Sequence, residues 1–235
     1  MIKKIWKNRQ YLQYIFHIIY FNFHYLPIKQ AIKFPILLYK PRLLKCKGKI
    51  EINNTIKTGM IRMGDFTVSL YPNSGIIYEN NGGIIVFEGE CTIGNASVIS
   101  VGKTGKIILG DNFLATASFK ITSYHYIHFK KNTRIAWDVI VMDTSFHRLK
   151  NTQNLFLGNG VKPVIIGKKN WLATKTLVLP GTKTPDYCVI GAGSILNKDF
   201  TNYPTHIILA GNPIKIKAKN IWRDVNDDNI NFELN

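Results

Sequence analysis

One of the six histidines, His147, closes the segment Val141-Met142-Asp143-Thr144-Ser145-Phe146-His147. An imidazole titrates near neutral pH and can take a proton from a substrate hydroxyl within hydrogen-bond reach. The segment stands where regular spacing gives way to an irregular stretch at 148–162, carrying Asn and Gly. A histidine at such a boundary is both fixed and accessible, as a general base must be. Asp143, four residues earlier, is the candidate to orient the ring or bias its charge. Taken alone, a histidine beside a loop is more often plain surface.

Two other constellations compete with this reading. His125, His128 and His147 together could hold a zinc ion. His125 and His128 crowd one irregular corner, however, and their spacing matches no metal-ligand pattern, so no metal is expected unless the three assemble across a subunit interface. His125 is read instead as flanking an acceptor groove or as merely exposed. Gly102-Lys103-Thr104 has the ending of a phosphate-binding loop, but that motif needs a glycine five residues earlier, where Ser97 stands, and a helix after it.

The elements that would position His147 announce themselves through a beat of six. Ile166, Leu172, Val178, Thr184, Ile190 and Leu196 are six apart, and Asn170, Thr176, Thr182, Cys188 and Ser194 follow the first five by four. A helix repeats its apolar face every 3.6 residues and a strand every 2, so neither accounts for the period. Short strands joined by tight corners do, with an aliphatic side chain pointing inward and a small residue at the bend. Phe129, Ile135 and Val141 keep the same beat, with Thr133, Val139 and Ser145 as corner residues. Ile93 and Ile99, and Leu109, Ala115 and Ile121, continue it. Slips at 102–105 and 124–128 mark irregular coils. The fold class is therefore all-β, a parallel β-helix. Three domain-level pieces follow: an N-terminal helical, amphipathic segment at 1–45, the β-helix at 46–200 with its excursion at 148–162, and a C-terminal extension at 201–235.

Composition narrows the setting. Cys46, Cys91 and Cys188 are an odd number without CxxC spacing, which fits a reducing cytoplasm rather than a disulfide framework or zinc cluster. Thirty-one Lys and Arg against fourteen Asp and Glu give a formal charge of +17. Such a chain attracts nucleic acid, anionic lipid or phosphorylated ligands. The lysines are dispersed and no nucleic-acid-binding signature is present, so nucleic acid is set aside in favour of a membrane surface or phosphate-bearing ligand. Lys3, Lys4, Lys7 and Arg9 precede an aromatic stretch from Tyr11 to Leu26. Gln13, His17, Asn22 and His24 interrupt it, so it falls short of a bilayer span and shows no signal-peptide cleavage site. Residues 1–26 are read either as a helix on the membrane face or as one packing on the β-helix or a neighbouring subunit.

Several segments carry a family resemblance: Ile166-Gly167-Lys168-Lys169-Asn170-Trp171-Leu172-Ala173, Leu179-Pro180-Gly181, Val189-Ile190-Gly191-Ala192-Gly193-Ser194, Asn197-Lys198-Asp199 and Ala210-Gly211-Asn212-Pro213. Over about residues 90–220 the chain resembles the left-handed β-helix, hexapeptide-repeat acyltransferases. Among them it is most similar to sugar O-acetyltransferases of polysaccharide gene clusters and to maltose and galactoside acetyltransferases. The resemblance implies a left-handed β-helix and a homotrimer with sites between subunits. It implies acetyl-CoA as co-substrate and His147, with Asp143, as catalytic residues. It matches Thr174, Ala192, Asn197, Lys198 and Lys215 to cofactor contacts, with Lys215 beside the nucleotide phosphates. The acceptor is then a sugar hydroxyl on a cell-surface polysaccharide precursor, lipid-linked or nucleotide-linked, in the cytoplasm at the inner membrane face. An N-acetyltransferase acting on a nucleotide-linked amino sugar is the nearest alternative, and a metal-dependent or non-catalytic β-helix trimer is a further one. Departures are Trp171-Leu172-Ala173 for the usual Trp-Ile-Gly, Thr184-Pro185-Asp186 at one corner, Ala218 at a second basic position and Arg148 after the histidine. Trp171 either packs beside the cofactor or fills the coil exterior.

Overall fold

The computed structural model describes residues 9–225, so Lys3, Lys4 and Lys7 of the basic N-terminal group lie outside the described residues. The chain winds into a left-handed parallel β-helix with three flat faces. Face A runs from Ile36–Leu38 through Trp171–Leu172 and Cys188–Ile190 to Ile207–Ala210. Face B runs from Pro41–Cys46 through Lys120–Ser123, Ile140–Met142 and Leu177–Val178 to Ile195–Leu196, and face C from Lys49–Ile52 to Val164–Ile166. Rungs on each face pair in parallel until the last strand, Lys215–Lys219, folds back antiparallel on Ile207–Ala210. The rungs therefore begin within the segment read as N-terminal and extend into the one read as C-terminal.

The six-residue beat is the interior of this prism. Ile166, Leu172, Val178, Ile190 and Leu196 are fully buried. Leu172 pairs with Ile190 and Val178 with Leu196, so a full turn here takes eighteen residues. Each corner is made by one residue in the left-handed backbone region: Lys169, Lys175, Gly181, Tyr187 and Gly193, again six apart. The residue after each, Asn170, Thr176, Thr182, Cys188 and Ser194, is buried. Three of these donate a hydroxyl hydrogen bond to the carbonyl three residues back, Thr176 to Ala173 at 2.7 Å, Thr182 to Leu179 at 2.8 Å and Ser194 to Gly191 at 2.5 Å. This is why short polar residues hold the position: the corner turns a carbonyl inward, and the hydroxyl three residues on in the same corner satisfies it. Thr184 breaks the aliphatic series yet stays buried, because its hydroxyl donates to Asn170 Oδ1 at 2.8 Å and accepts from the Gly167 N–H at 2.9 Å.

The register slips have a single address. Ile99 pairs with Ile121 and Ile121 with Val141, turns of twenty-two and twenty residues. From Phe87 to Ile93 to Ile99, Leu109 to Ala115 to Ile121, and Phe129 to Ile135 to Val141, the steps from face C to A and from A to B remain six. From Ile93 to Leu196 every extra residue enters at the edge between faces B and C; the last turn differs, with nine residues from Phe200 on face C to Leu209 on face A. Ser145, a corner residue by spacing, is exposed instead, because the chain leaves the prism at that same edge and Thr144 bridges Val161 across a hairpin.

The first end of the stack is closed by helices. A 3-10 turn at Arg9–Tyr14 leads into α1 (Ile15–Tyr25), followed by α2 (Ile28–Ala31). Tyr11, Ile18 and Phe21 bury against the prism end, with the Phe21 ring 5.1 Å from that of Tyr78. Asn22, fully buried, donates to the carbonyls of Ile18 and Ile36 at 2.8 Å each and accepts from the Ile36 N–H at 3.1 Å. It closes the hydrogen bonds of the first strand, which has no rung beneath it. Asn22→Ala leaves the Ile36 N–H and carbonyl unpaired in an apolar setting and is expected to lower stability by about 1–3 kcal/mol, read as a lower denaturant midpoint.

Candidate active site

The edge between faces B and C throws out residues 143–162 as a hairpin between Ile140–Met142 and Val164–Ile166. Its stem is zipped by Lys162 N–H to Asp143 O at 2.9 Å, Ser145 N–H to Gly160 O at 2.9 Å and Leu157 N–H to Leu149 O at 2.8 Å. His147 sits in a bend on the outgoing arm and is exposed. Its backbone carbonyl accepts the Ser145 hydroxyl at 2.7 Å, which fixes the main chain, while its imidazole has no hydrogen-bond partner among the described residues. The ring shares a depression with Leu149, Leu157, Lys162 and Pro180, the last on the next corner of the same edge. An imidazole with both nitrogens open, on a pinned backbone, is free to meet a hydroxyl.

Asp143 has another task than touching that ring. Its carboxylate is fully buried and accepts from the Ser123 hydroxyl at 2.7 Å, the Tyr124 N–H at 2.8 Å and the His125 N–H at 2.9 Å. Three donors on one carboxylate tie the irregular corner of the rung below to the root of the hairpin. Above it, the Tyr124 ring meets Phe146 edge-on at 5.3 Å, one residue from His147. Asp143 thus positions the histidine through the backbone. The spacing held the clue, since Ser123 and Asp143 are twenty apart, the same interval as the paired Ile121 and Val141.

The three histidines do not converge. His125 is exposed at the corner that Asp143 holds, whereas His128 points outward from face C. The His128 ring lies 4.0 Å from Glu88, and burial pushes its pKa down despite that carboxylate. Among the described residues no cluster of His, Cys, Asp or Glu could hold a metal ion.

The residues matched to cofactor contacts fall on two edges. Asn197 and Lys198 follow the rung Ile195–Leu196 on the B–C edge, two rungs beyond the hairpin that carries His147. Next to them Lys183 and Asp199 form an ion pair at 2.9 Å, and the Thr201 hydroxyl with Lys183 draws the Asp199 pKa down to about 2. Thr174 and Ala192 stack on the A–B edge, where the Gly193 N–H donates to the Thr174 carbonyl at 2.9 Å. Lys215 joins that second edge, because its strand pairs it with Ala210, whose side chain abuts Gly191. One chain therefore puts His147 with Asn197 and Lys198 on one border of face B, and Thr174, Ala192 and Lys215 on the other. Trp171 lies on the outside of face A under the Arg223 guanidinium, 4.6 Å from the ring centre.

The carboxylate clamp has a measurable consequence. Asp143→Ala frees two backbone N–H groups and a hydroxyl, and is expected to cost about 1.5–3 kcal/mol. It should also expose 145–160 to limited proteolysis well before the prism itself is cut.

No protein-family model matches the chain. It is 29% identical over 124 residues to galactoside O-acetyltransferase of Escherichia coli K12, covering 52% of this chain and 55% of that one. It is 28% identical over 162 residues to WbbJ of the same strain, named as a lipopolysaccharide biosynthesis O-acetyl transferase, covering 63% of this chain and 81% of that one. The chain thus spans about half the length of the first of these relatives. Among solved structures, the polySia-specific acetyltransferase NeuO superposes with a TM-score of 0.59 at 21% identity, covering 83% of this chain and 76% of that one, which establishes a shared fold. The resemblance to hexapeptide-repeat sugar acetyltransferases read from the sequence holds in both comparisons.

Proposed function

We propose that the chain is an acetyl-CoA-dependent O-acetyltransferase acting on a sugar hydroxyl of a cell-surface polysaccharide precursor. The observation that carries this reading is His147. It is an exposed imidazole with no internal partner, held on a doubly anchored hairpin and sharing one prism edge with Asn197 and Lys198, two of the residues matched to the cofactor. A metal reading lacks a ligand cluster among the described residues.

The chemistry follows from the groups. His147 takes the proton of the acceptor hydroxyl as that oxygen attacks the thioester carbonyl. The negative charge that develops on the carbonyl oxygen calls for a fixed backbone N–H, which a corner containing glycine or alanine supplies without side-chain obstruction. Collapse of the tetrahedral intermediate breaks the C–S bond, and the thiolate of CoA leaves with the proton held by the imidazolium. A β-carbon added at Gly193, beside Ala192, would meet nothing within 4 Å, so the A–B edge is open where the cofactor is placed. Lys215 and Lys198 supply cations for the CoA phosphates.

The same reading calls for a homotrimer. Because the His147 edge and the Thr174–Ala192–Lys215 edge border face B on opposite sides, packing copies side by side would set the histidine of one against the cofactor edge of another. WbbJ, by its name, points to lipopolysaccharide as the acceptor class. The net charge of +17 suits a pyrophosphate-linked precursor at the cytoplasmic face of a membrane.

Two substitutions test the assignment. His147→Ala is expected to lower kcat by about 10²–10⁴-fold with CoA affinity, measured by calorimetry, unchanged; retained turnover would sink the mechanism. Lys215→Ala should weaken CoA binding about tenfold, roughly 1.4 kcal/mol, while leaving the affinity for a phosphate-free pantetheine thioester as it was. Release of the acetyl group from product by mild alkali marks an ester, and resistance to it would mark the amide of an N-acetyltransferase instead.

A further inference from the structure

We propose that the outer face of α1 and α2 is a docking surface for an anionic lipid membrane. The inner face of α1 is spent on the prism, as Ile18, Phe21 and Asn22 show. The outer face is apolar as well. Leu12, Phe16, Ile19 and Phe23 are 61%, 81%, 40% and 45% exposed, at a spacing that sets them along one side of the helix. Ile28 and Ile32, 71% and 58% exposed, continue the surface onto and beyond α2. Scattered exposed apolar residues are ordinary, but a contiguous stripe of this kind marks a surface that something covers.

Charge identifies the cover. The first fifty residues hold eleven Lys and Arg and no Asp or Glu, so a chain with thirty-one bases and fourteen acids carries most of its net charge at this end. Lys29, Lys33, Arg42 and Lys45 are exposed around the helices. Of the nearby carboxylates, Asp65 is already engaged by Gln10 at 2.9 Å and Arg62 at 3.9 Å, and Glu79, paired beside Lys45, accepts the Ser100 hydroxyl at 2.9 Å. A second copy of this face would oppose cation to cation across an apolar centre, which is a poor interface. A layer of anionic headgroups over acyl chains complements both features, the aromatic and aliphatic stripe entering the boundary and the lysines meeting the charge. Among the described residues no helix is long and apolar enough to cross a membrane, so the contact is one of lying on the surface.

The geometry deepens the acceptor assignment, and this step rests on the transferase reading. The helices close the end of the stack, so the prism rises away from the lipid. On face B the rung preceding His147 is four rungs above Pro41–Cys46, which at the usual strand spacing places the base about 20 Å above that first rung, with the helix layer below it adding to the height over the lipid. A saccharide held in the same membrane would be acetylated several sugar units out from its lipid, not on the unit next to the phosphate.

Flotation of the full chain with phosphatidylcholine vesicles, with and without phosphatidylglycerol, tests the docking, with CoA titration of the same samples as a check on fold and cofactor site. The wild type should float with the anionic vesicles and release in high salt. Phe16→Glu/Phe23→Glu should lower partitioning at least about tenfold with CoA binding intact, and Lys29→Glu/Lys33→Glu should abolish the preference for phosphatidylglycerol. A Phe16→Trp variant should blue-shift its emission on the same vesicles. Failure of the wild type to float, or flotation indifferent to Phe16→Glu/Phe23→Glu, overturns the proposal. So does a fall in oligomeric mass caused by that pair without loss of flotation, which would make the face a contact between copies. Because CoA binding is read separately, loss of the docking idea leaves the transferase reading standing, and the reverse holds.

Discussion

The whole molecule depends on turning the backbone sharply every six residues without stranding a polar group. Each corner needs a residue in the left-handed region, a conformation that costs a non-glycine residue about 1–2 kcal/mol, and it directs a carbonyl toward the interior. The buried Thr, Ser or Asn that follows meets that carbonyl, and the N–H groups pair with the rung below. Stacking then recovers more from the corner residues themselves. Asn112 donates to Asn132 one turn on at 2.8 Å, and Tyr187 stacks on His206 at 4.3 Å, both pairs lying along the edge between faces C and A. Repetition makes each unfavourable corner the support of the next.

That repetition leaves little freedom for function, and the chain confines its freedom to one edge. From Ile93 to Leu196 the C–A and A–B corners stay at their minimal length, while the B–C edge takes the inserted residues, up to the hairpin at 143–162. An insertion there bulges outward and leaves the interior beat untouched, because the rung on either side still pairs in register. Gly48, Gly82 and Gly181 supply the positive φ on this edge, while the A–B edge mixes Gly64, Gly75 and Gly193 with Ala96, Ser118, Asp138 and Lys175. At Gly48 a side chain would collide with the Gly83 carbonyl of the next turn. The buried Asp143 anchors the longest insertion to the turn below it. The rigidity of the stack is thereby passed to an exposed histidine.

A stack of parallel rungs also has two ends, each offering unpaired backbone. At the first, α1 covers the open interior and Asn22 imitates the missing rung. At the last, Lys215–Lys219 reverses and closes face A, with lysines at every second position facing solvent. That cover also brings Arg223 over Trp171 and Trp222 beside Tyr187.

The architecture is legible in neighbouring residues alone. A six-residue beat of aliphatic and short polar side chains is a local rule repeated at every corner, and no distant contact is needed to read it from Ile166 to Leu196. It also marked His147, since the break in the beat is visible where the hairpin leaves. What the sequence left open was decided by the stacking of turns. That Asp143 holds Ser123, Tyr124 and His125 rather than the His147 ring depends on which residues lie one turn apart, and turns of twenty-two, twenty and eighteen residues cannot be told from spacing until the insertions are assigned to an edge. The same is true of Lys215, which reaches the Ala192 edge only because the last strand reverses, and of α1, whose two apolar faces look alike in the sequence. Local repetition is written in neighbouring residues, whereas edges, ends and clamps come into being only when one turn rests on another.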